Sequence, residues 1–255
     1  MLRVKNEEKN IKDVLISIVD FFDEIVLVDN GSTDNTLEIA KSVSNENNHI
    51  QKKLKVYNYP FQVSRCGLEN FYTDKKSVKS LSYFYNYALS KCTHQYVMKW
   101  DGDMIVPKNM INDMKLYIDQ IVSSQSSVLG IPVGLTVFKG LDNKFYYQKN
   151  QFEAEVRIFK NINQNYFEKD ILWEKFHCGV SSKKIRSKEP VYIEFKDLNQ
   201  NEFSHWGNDN LGMSPRKRKE IYDFQFLHHL TKDGKLIDPK DLEKNMFELY
   251  PFELF

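Results

Sequence analysis

The chain is poor in cysteine, in net charge and in long apolar runs. Its 255 residues include three cysteines, Cys66, Cys92 and Cys178, an odd count with no C-x-x-C pair. A disulfide framework and a cysteine-type zinc site are therefore not expected, and a reducing, cytoplasmic setting is. Lys and Arg total 36 against 35 Asp and Glu, which leaves a net charge of +1. No global field for nucleic acid exists at that balance, so no nucleic-acid partner is expected. The longest purely apolar runs are only a few residues, as in Ile25-Val26-Leu27-Val28, far below the roughly 20 that span a bilayer. No apolar leader opens the chain, because Met1-Leu2-Arg3-Val4-Lys5-Asn6-Glu7 turns polar at once. Internal repeats and low-complexity linkers are also missing.

What is present builds a core: 41% of residues are hydrophobic and 14% aromatic, which excludes wholesale disorder. Ile11, Val14, Leu15 and Ile18 follow helical spacing over residues 11–22. Glu24 to Asp29 is an unbroken apolar run ending in an acid, as suits a strand covered on both faces. Asn30-Gly31-Ser32 is turn chemistry, and Ser32 or Thr33 can cap the helix that follows. A third strand spans Leu54 to Tyr59, and a helix over residues 78–91 shows Leu81, Phe84, Tyr85, Ala88 and Leu89 on one stripe. Tyr96 to Trp100 reads as a strand running into Asp101-Gly102-Asp103. A helix near 109–121 and a strand near Val128 to Pro132 follow. With a short first strand within Met1 to Lys5, this order predicts an α/β fold with a mainly parallel, Rossmann-like sheet flanked by helices. The second half is less regular, with alternating Phe152 to Ile158, strand-like Val191 to Phe195 and a basic helix from about Ser214. We expect residues 1–130 and 131–255 to form two halves of one continuous body.

Ligands of such sheets bind beyond the carboxyl ends of the strands. Asp29 and the pair Asp101 and Asp103 both fall there. In extended backbone, residues i and i+2 point the same way, and two like charges held together call for a cation between them. Mg²⁺ or Mn²⁺ commonly binds one or two carboxylates plus substrate phosphates. A solvated acidic turn is the plain alternative. Asp29 and Asn30 can hydrogen-bond a base or ribose, whereas Ser32, Thr33 and Asp34 fit ordinary turn and cap chemistry.

Three blocks carry a family resemblance: Arg3 to Ile11, Glu24 to Thr36, and Trp100 to Asp103. In order and spacing they are similar to the nucleotide-binding half of the family 2 glycosyltransferases with the GT-A fold. The resemblance covers roughly residues 3–110. It implies a nucleotide-diphosphate sugar donor and a divalent metal, Mn²⁺ or Mg²⁺. Lys5, Asn6 and Glu7 match the end of the family's first strand, which contacts the base. Asn30 stands where many members carry an Asp that pairs with uracil. Asp103 would ligate the metal, and Asp101 the ribose, a metal-bound water or the metal itself. Lys79 and Asn86, on the helix before that motif, match positions that line the donor site.

A sugar transfer with inversion also needs a carboxylate to take a proton from the acceptor hydroxyl. Arg157, Phe159-Lys160-Asn161, Tyr166-Phe167 and Trp173-Glu174 resemble the subgroup pattern R-[IL]-F-[RK]…W…H-E, whose last acid is the base. Glu174 is therefore the expected base, with Trp173 in place of the His; Glu153, Glu155 and Asp170 are its rivals. Similar proteins carry a His-aromatic-Gly where this chain has His205-Trp206-Gly207, so His205 could bind metal or diphosphate and Trp206 could stack on a sugar or base. Arg65 is a further phosphate candidate. Arg216-Lys217-Arg218-Lys219 could neutralise a leaving diphosphate or touch anionic lipid, which leaves peripheral membrane contact at the inner face open. His177, His228 and His229 show no ligand spacing.

The reading that follows is a metal-dependent, inverting glycosyltransferase. It would move a sugar, from UDP by preference, to a glycan, a lipid-linked glycan or another hydroxyl acceptor. A non-catalytic sugar-nucleotide module is the alternative. A sugar nucleotidyltransferase fits poorly, because its N-terminal glycine-rich loop is missing and the first glycine is Gly31.

Overall fold

The computed structural model describes residues 1–124, 127–179, 181–196, 215–231 and 247–250. In chain order the elements begin β1 (Leu2–Val4), α1 (Ile11–Ile18), β2 (Ile25–Asp29), α2 (Thr36–Glu46), α3 (Asn48–Lys53) and β3 (Leu54–Asn58). Then come α4 (Leu68–Tyr72), α5 (Leu81–Ser90), β4 (Tyr96–Met98), β5 (Trp100–Asp101), β6 (Met104–Ile105) and α6 (Ile111–Val122). The second half holds β7 (Val128–Lys139), β8 (Phe145–Ala154), β9 (Ile158–Lys160), β10 (Asn165–Lys169), β11 (Glu174–Cys178), β12 (Lys183–Lys196), α7 (Pro215–Thr231) and β13 (Phe247–Leu249).

Strands β3, β2, β1 and β5 form a parallel sheet in that order. The unbroken apolar run of β2 is covered on both faces, as its composition requires. Ile25 and Leu27 join Leu2, Val4 and the α1 residues Ile11, Val14 and Leu15 in one cluster. Val26 and Val28 join Phe84, Ala88 and Leu89 of α5 in another. The second sheet is mixed, ordered β13-β8-β7-β12-β6, with β9 bridging β4 and β7. The fold is thus α/β, parallel on the N-terminal side and mixed on the other, as the sequence predicts.

The predicted single strand from Tyr96 to Trp100 is two strands, and it does not extend through the acidic motif. After β5 pairs with β1, the chain turns at Gly102-Asp103 and re-enters as β6, antiparallel to β12. β4 likewise pairs with β9. Residues 96–105 therefore stitch the two sheets together. The alternating Phe152 to Ile158 segment divides between β8 and β9. Among the described residues no helix is long and apolar enough to cross a membrane.

Candidate active site

β1 lies between β2 and β5, so the carboxyl ends of all three strands meet at one edge. Two loops there are knitted together. Asp29 ends β2 and turns its carboxylate inward, accepting from Gly31 N (2.9 Å), Ser32 N (3.0 Å) and Ser32 Oγ (2.5 Å). Gly31 permits this turn with φ +67°. Asn6, itself at φ 58°, donates its backbone N–H to Ser32 Oγ and accepts Thr33 N on its side-chain oxygen, at 2.9 and 2.8 Å. Glu7 N donates to Thr36 Oγ1 at 2.7 Å. Ser32 and Thr33 thus hold the β1 loop, and Asn35, not either of them, is the N-cap of α2.

This knot opens onto a cavity of about 840 Å³. Its walls include Lys5, Glu7, Asn30, Asp101, Asp103 and Glu174, all singled out in the sequence. Four other sequence candidates do not line it. Asp29 and Asn6 are spent on the turn just described. Lys79 is exposed ahead of α5, because Ser80 is the N-cap and accepts Tyr83 N at 3.2 Å. Asn86 completes the ladder of β10 instead: its amide gives to Phe167 O at 2.7 Å and takes from Phe167 N at 2.8 Å. Its orientation follows from unpaired strand backbone needing partners. Asn30 lines the cavity while its amide donates to Phe61 O at 2.8 Å, fixing the loop after β3. Arg65 is also in the wall and donates from Nε to Glu69 at 2.6 Å. His205 and Trp206 lie outside the described residues.

The two acids of the D-G-D motif part company at the turn, so the i, i+2 expectation for extended backbone does not hold there. Asp101 has both oxygens claimed, Oδ1 by Arg3 and Oδ2 by Arg157 Nη1 at 2.7 Å. Burial would push its carboxyl up, but Arg157, then Arg3 and Lys99, override this and hold it well below the ordinary carboxylate range. Asp101 thus lines the cavity as an ionised carboxylate that bridges Arg3 and Arg157. Arg3 also lies over the Tyr85 ring, 3.6 Å from its centroid. Glu155 pairs with Lys99 at 2.7 Å and with Arg157 at 2.6 Å. Despite burial, Arg157 and Lys99 lower its pKa.

Asp103 faces a different neighbourhood. Its Oδ2 accepts from Lys196 Nζ at 2.6 Å, and the same ammonium reaches Glu194 at 2.8 Å and lies 4.0 Å from Glu220. Glu7 lies across Gly102, where an added Cβ would sit 2.6 Å from Glu7 Cγ and 2.8 Å from Cδ. Burial and the nearby Asp103 push Glu7 up to about 8. Burial pushes Asp103 up to about 6 against the pull of Lys196, with Glu194 and Asp101 adding to the rise. Asp103, Glu194 and Glu220 thus surround one ammonium, with Glu7 across Gly102, and a crowd of acids of this kind suits a hard divalent cation. Among the described residues no group of three or more His, Cys, Asp or Glu side chains could hold a metal ion. A cation here would take no more than two carboxylates from the described residues and would need its other ligands from a substrate.

Glu174 opens β11 beside Trp173 and forms no ion pair among the described residues. Burial raises its pKa, with Lys99 and Arg3 pulling the other way. Of its rivals, Glu155 is in the cavity but locked in two ion pairs, and Asp170 accepts Ile171 N at 2.8 Å outside the wall. The side chain of Glu153 lies outside the described residues. Sequence reading passed over Arg3, Lys99, Tyr85, Glu194 and Lys196 as wall residues. Lys99 had a usable signal, two positions before Asp101 at the same sheet edge. Lys196 had none, because only the pairing of β12 with β6 brings it to Asp103.

Residues 2–65 match the family model described as glycosyl transferase family 2, which bears out the resemblance carried by the first two sequence blocks. No curated protein matches the sequence. Among solved structures, S. aureus TarS 1-349 in complex with UDP-GlcNAc is similar, with 19% identity over 86% of this chain and a TM-score of 0.46. The chain spans 62% of that TarS chain. Glucosyl-3-phosphoglycerate synthase from Mycobacterium tuberculosis in complex with Mg²⁺ and UDP is similar over 54% of this chain and 42% of its own, with 18% identity and a TM-score of 0.34. The same enzyme in complex with Mn²⁺, UDP and glucosyl-3-phosphoglycerate matches over the same shares, again with a TM-score of 0.34.

Proposed function

We propose that the protein is a glycosyltransferase that moves a sugar from a nucleoside-diphosphate donor, UDP-linked by preference, to a hydroxyl acceptor with inversion. One observation carries this reading. The segment that matches the family model, the D-G-D turn and the Glu174 carboxylate converge on a single cavity from three separate stretches of chain. Lys5 and Asn30 would border the base and ribose. Asp103, with Glu7 across Gly102, would hold a divalent cation; bound there, such an ion would neutralise the charge of the departing diphosphate. Arg3, Arg157 and Lys99, each paired with Asp101 or Glu155, complete the wall between Asp101 and Glu174.

Glu174 has the properties a general base needs. A carboxylate with a pKa raised by burial accepts a proton more readily than an ion-paired one, and proton transfer of this kind is worth about 10²–10⁴-fold in rate. Glu155 lacks them, since Lys99 and Arg157 already satisfy its charge. In the transfer, the acceptor hydroxyl gives its proton to Glu174 as its oxygen bonds the anomeric carbon. The bond from that carbon to the diphosphate breaks, and the leaving group takes the electron pair.

The test is donor turnover. UDP-, GDP- and dTDP-sugars are incubated with the protein and Mn²⁺, and nucleoside diphosphate release is followed by chromatography. Release from at least one donor is expected. Binding of a sugar nucleotide without release from any of them would overturn the reading in favour of a non-catalytic module.

A further inference from the structure

Large apolar side chains are exposed on α4 and on the turn that carries Trp173 into the cavity wall. Phe71 is 49% exposed, Tyr72 79%, Ile171 64% and Trp173 39%. The first two belong to α4, and the others to the turn between β10 and β11. Exposing such side chains is unfavourable unless they meet a partner. They are also held in place. Asn70, fully buried, fans its amide onto the carbonyls of Asp170 (3.2 Å), Ile171 (3.5 Å) and Trp173 (3.3 Å). Gly67 N donates to Leu172 O at 2.7 Å. A buried amide is thus committed to fixing the geometry of an exposed turn, which lowers the ordering cost of whatever docks there.

We propose that these side chains form a rim that serves as the acceptor platform and that its occupant is a neutral saccharide chain. The inference rests on the transfer reaction proposed above. Trp173 belongs to both the rim and the cavity wall, and Glu174 follows it inside the cavity. An acceptor that presents a hydroxyl to Glu174 must carry the rest of its structure out past Trp173, over Ile171, Phe71 and Tyr72. Aromatic rings offer broad faces to the C–H surfaces of pyranose rings, and Tyr72 adds a hydroxyl for hydrogen bonding. Beside these side chains Arg65 pairs with Glu69 and Lys175 with Glu168, and Lys169, whose Nζ donates to Phe71 O at 3.4 Å, is followed by the opposite charge of Asp170. A rim without surplus positive charge offers an anionic membrane little electrostatic attraction and suits an uncharged polymer.

The experiment uses the full chain with cellohexaose, maltohexaose and chitohexaose as probes. Binding is read by saturation-transfer difference NMR for the wild type, Trp173→Ala and the double variant Phe71→Ser/Tyr72→Ser. Circular dichroism confirms that the variants are folded, and stabilisation by UDP-sugars is recorded in parallel. We expect at least one hexasaccharide to bind the wild type and to lose about tenfold in affinity in each variant. Equal binding by wild type and variants overturns the proposal. So does stabilisation by a UDP-sugar with no hexasaccharide bound, which leaves the donor reading standing. Sedimentation of the wild type with phosphatidylglycerol vesicles, lost in the double variant, also overturns it, in favour of a membrane face. Failure of every sugar nucleotide to bind or turn over counts instead against the transfer reaction itself.

Discussion

Arg157 Nη1 donates to Asp101 Oδ2 at 2.7 Å, tying the segment before β9 to the end of β5. With Arg3 on the other oxygen, Asp101 joins β1, β5 and the second sheet at one carboxylate. Both arginine side chains are at least nine-tenths buried. Removing that charge leaves Arg3 without its carboxylate and Arg157 with Glu155 alone, and breaking a buried pair costs about 3–5 kcal/mol. Asp101→Ala should therefore lower unfolding stability by that order in urea titrations, and Asp101→Asn, which keeps one acceptor oxygen, by less. A fully stable Asp101→Ala variant would refute the structural role.

Asp103 should behave differently. Its carboxylate faces Lys196 and Glu194, not a pair of arginines. If it holds the cation, Asp103→Asn removes the extra thermal stabilisation that Mn²⁺ adds to a bound UDP-sugar, while Asp101→Asn retains it. The measurement is a thermal shift with donor, with and without Mn²⁺. The reverse pattern would exchange the roles of the two acids.

The carboxylates of Glu174 and Glu155 share one cavity but not one chemistry. Glu174→Gln should leave donor-induced stabilisation intact and slow transfer about 10²-fold or more. Glu155→Gln frees Lys99 and Arg157 from a partner, so its main effect should fall on stability. Single-turnover kinetics and denaturant melts on both variants decide the matter. Unchanged transfer in Glu174→Gln would move the base elsewhere.

Much of the nucleotide-side fold is legible in the sequence because its signals are local. The apolar run of β2, the stripe of α5 and the Asn30-Gly31 turn each announce themselves within a few residues. Glu174 was found through a pattern of residues, and the structure brings it to the wall. The charge network was not legible. Arg3 reads as a polar residue in a short strand, and Lys196 as the end of an alternating one. Their partners are set by strand order and by the break at Gly102, which periodicity does not encode. Asn86, a polar residue facing the second half of the chain, reads as a ligand contact, and its amide bonds both backbone groups of Phe167. The i, i+2 argument for Asp101 and Asp103 failed for one physical reason, the turn between β5 and β6.

That turn also makes pH dependence testable. Glu7 lies over Gly102 and is pushed up to about 8 by burial and by Asp103. A carboxyl raised in the folded state favours folding in its neutral form. The stabilisation is therefore fully present below the ordinary glutamate range, declines as pH rises above it and is gone once the folded pKa is passed. Because Glu7 and Asp103 interact, they titrate as a pair, and Asp103 at about 6 contributes in the same direction. Glu7→Gln keeps the shape and removes the charge. The melting temperature of the wild type, relative to Glu7→Gln, should fall steadily between about pH 4.5 and 8. Thermal melts of both proteins in metal-free buffers across that window provide the measurement. A difference independent of pH would show that neither burial nor Asp103 raises Glu7 in the folded protein, and the cation assignment would lose its electrostatic basis.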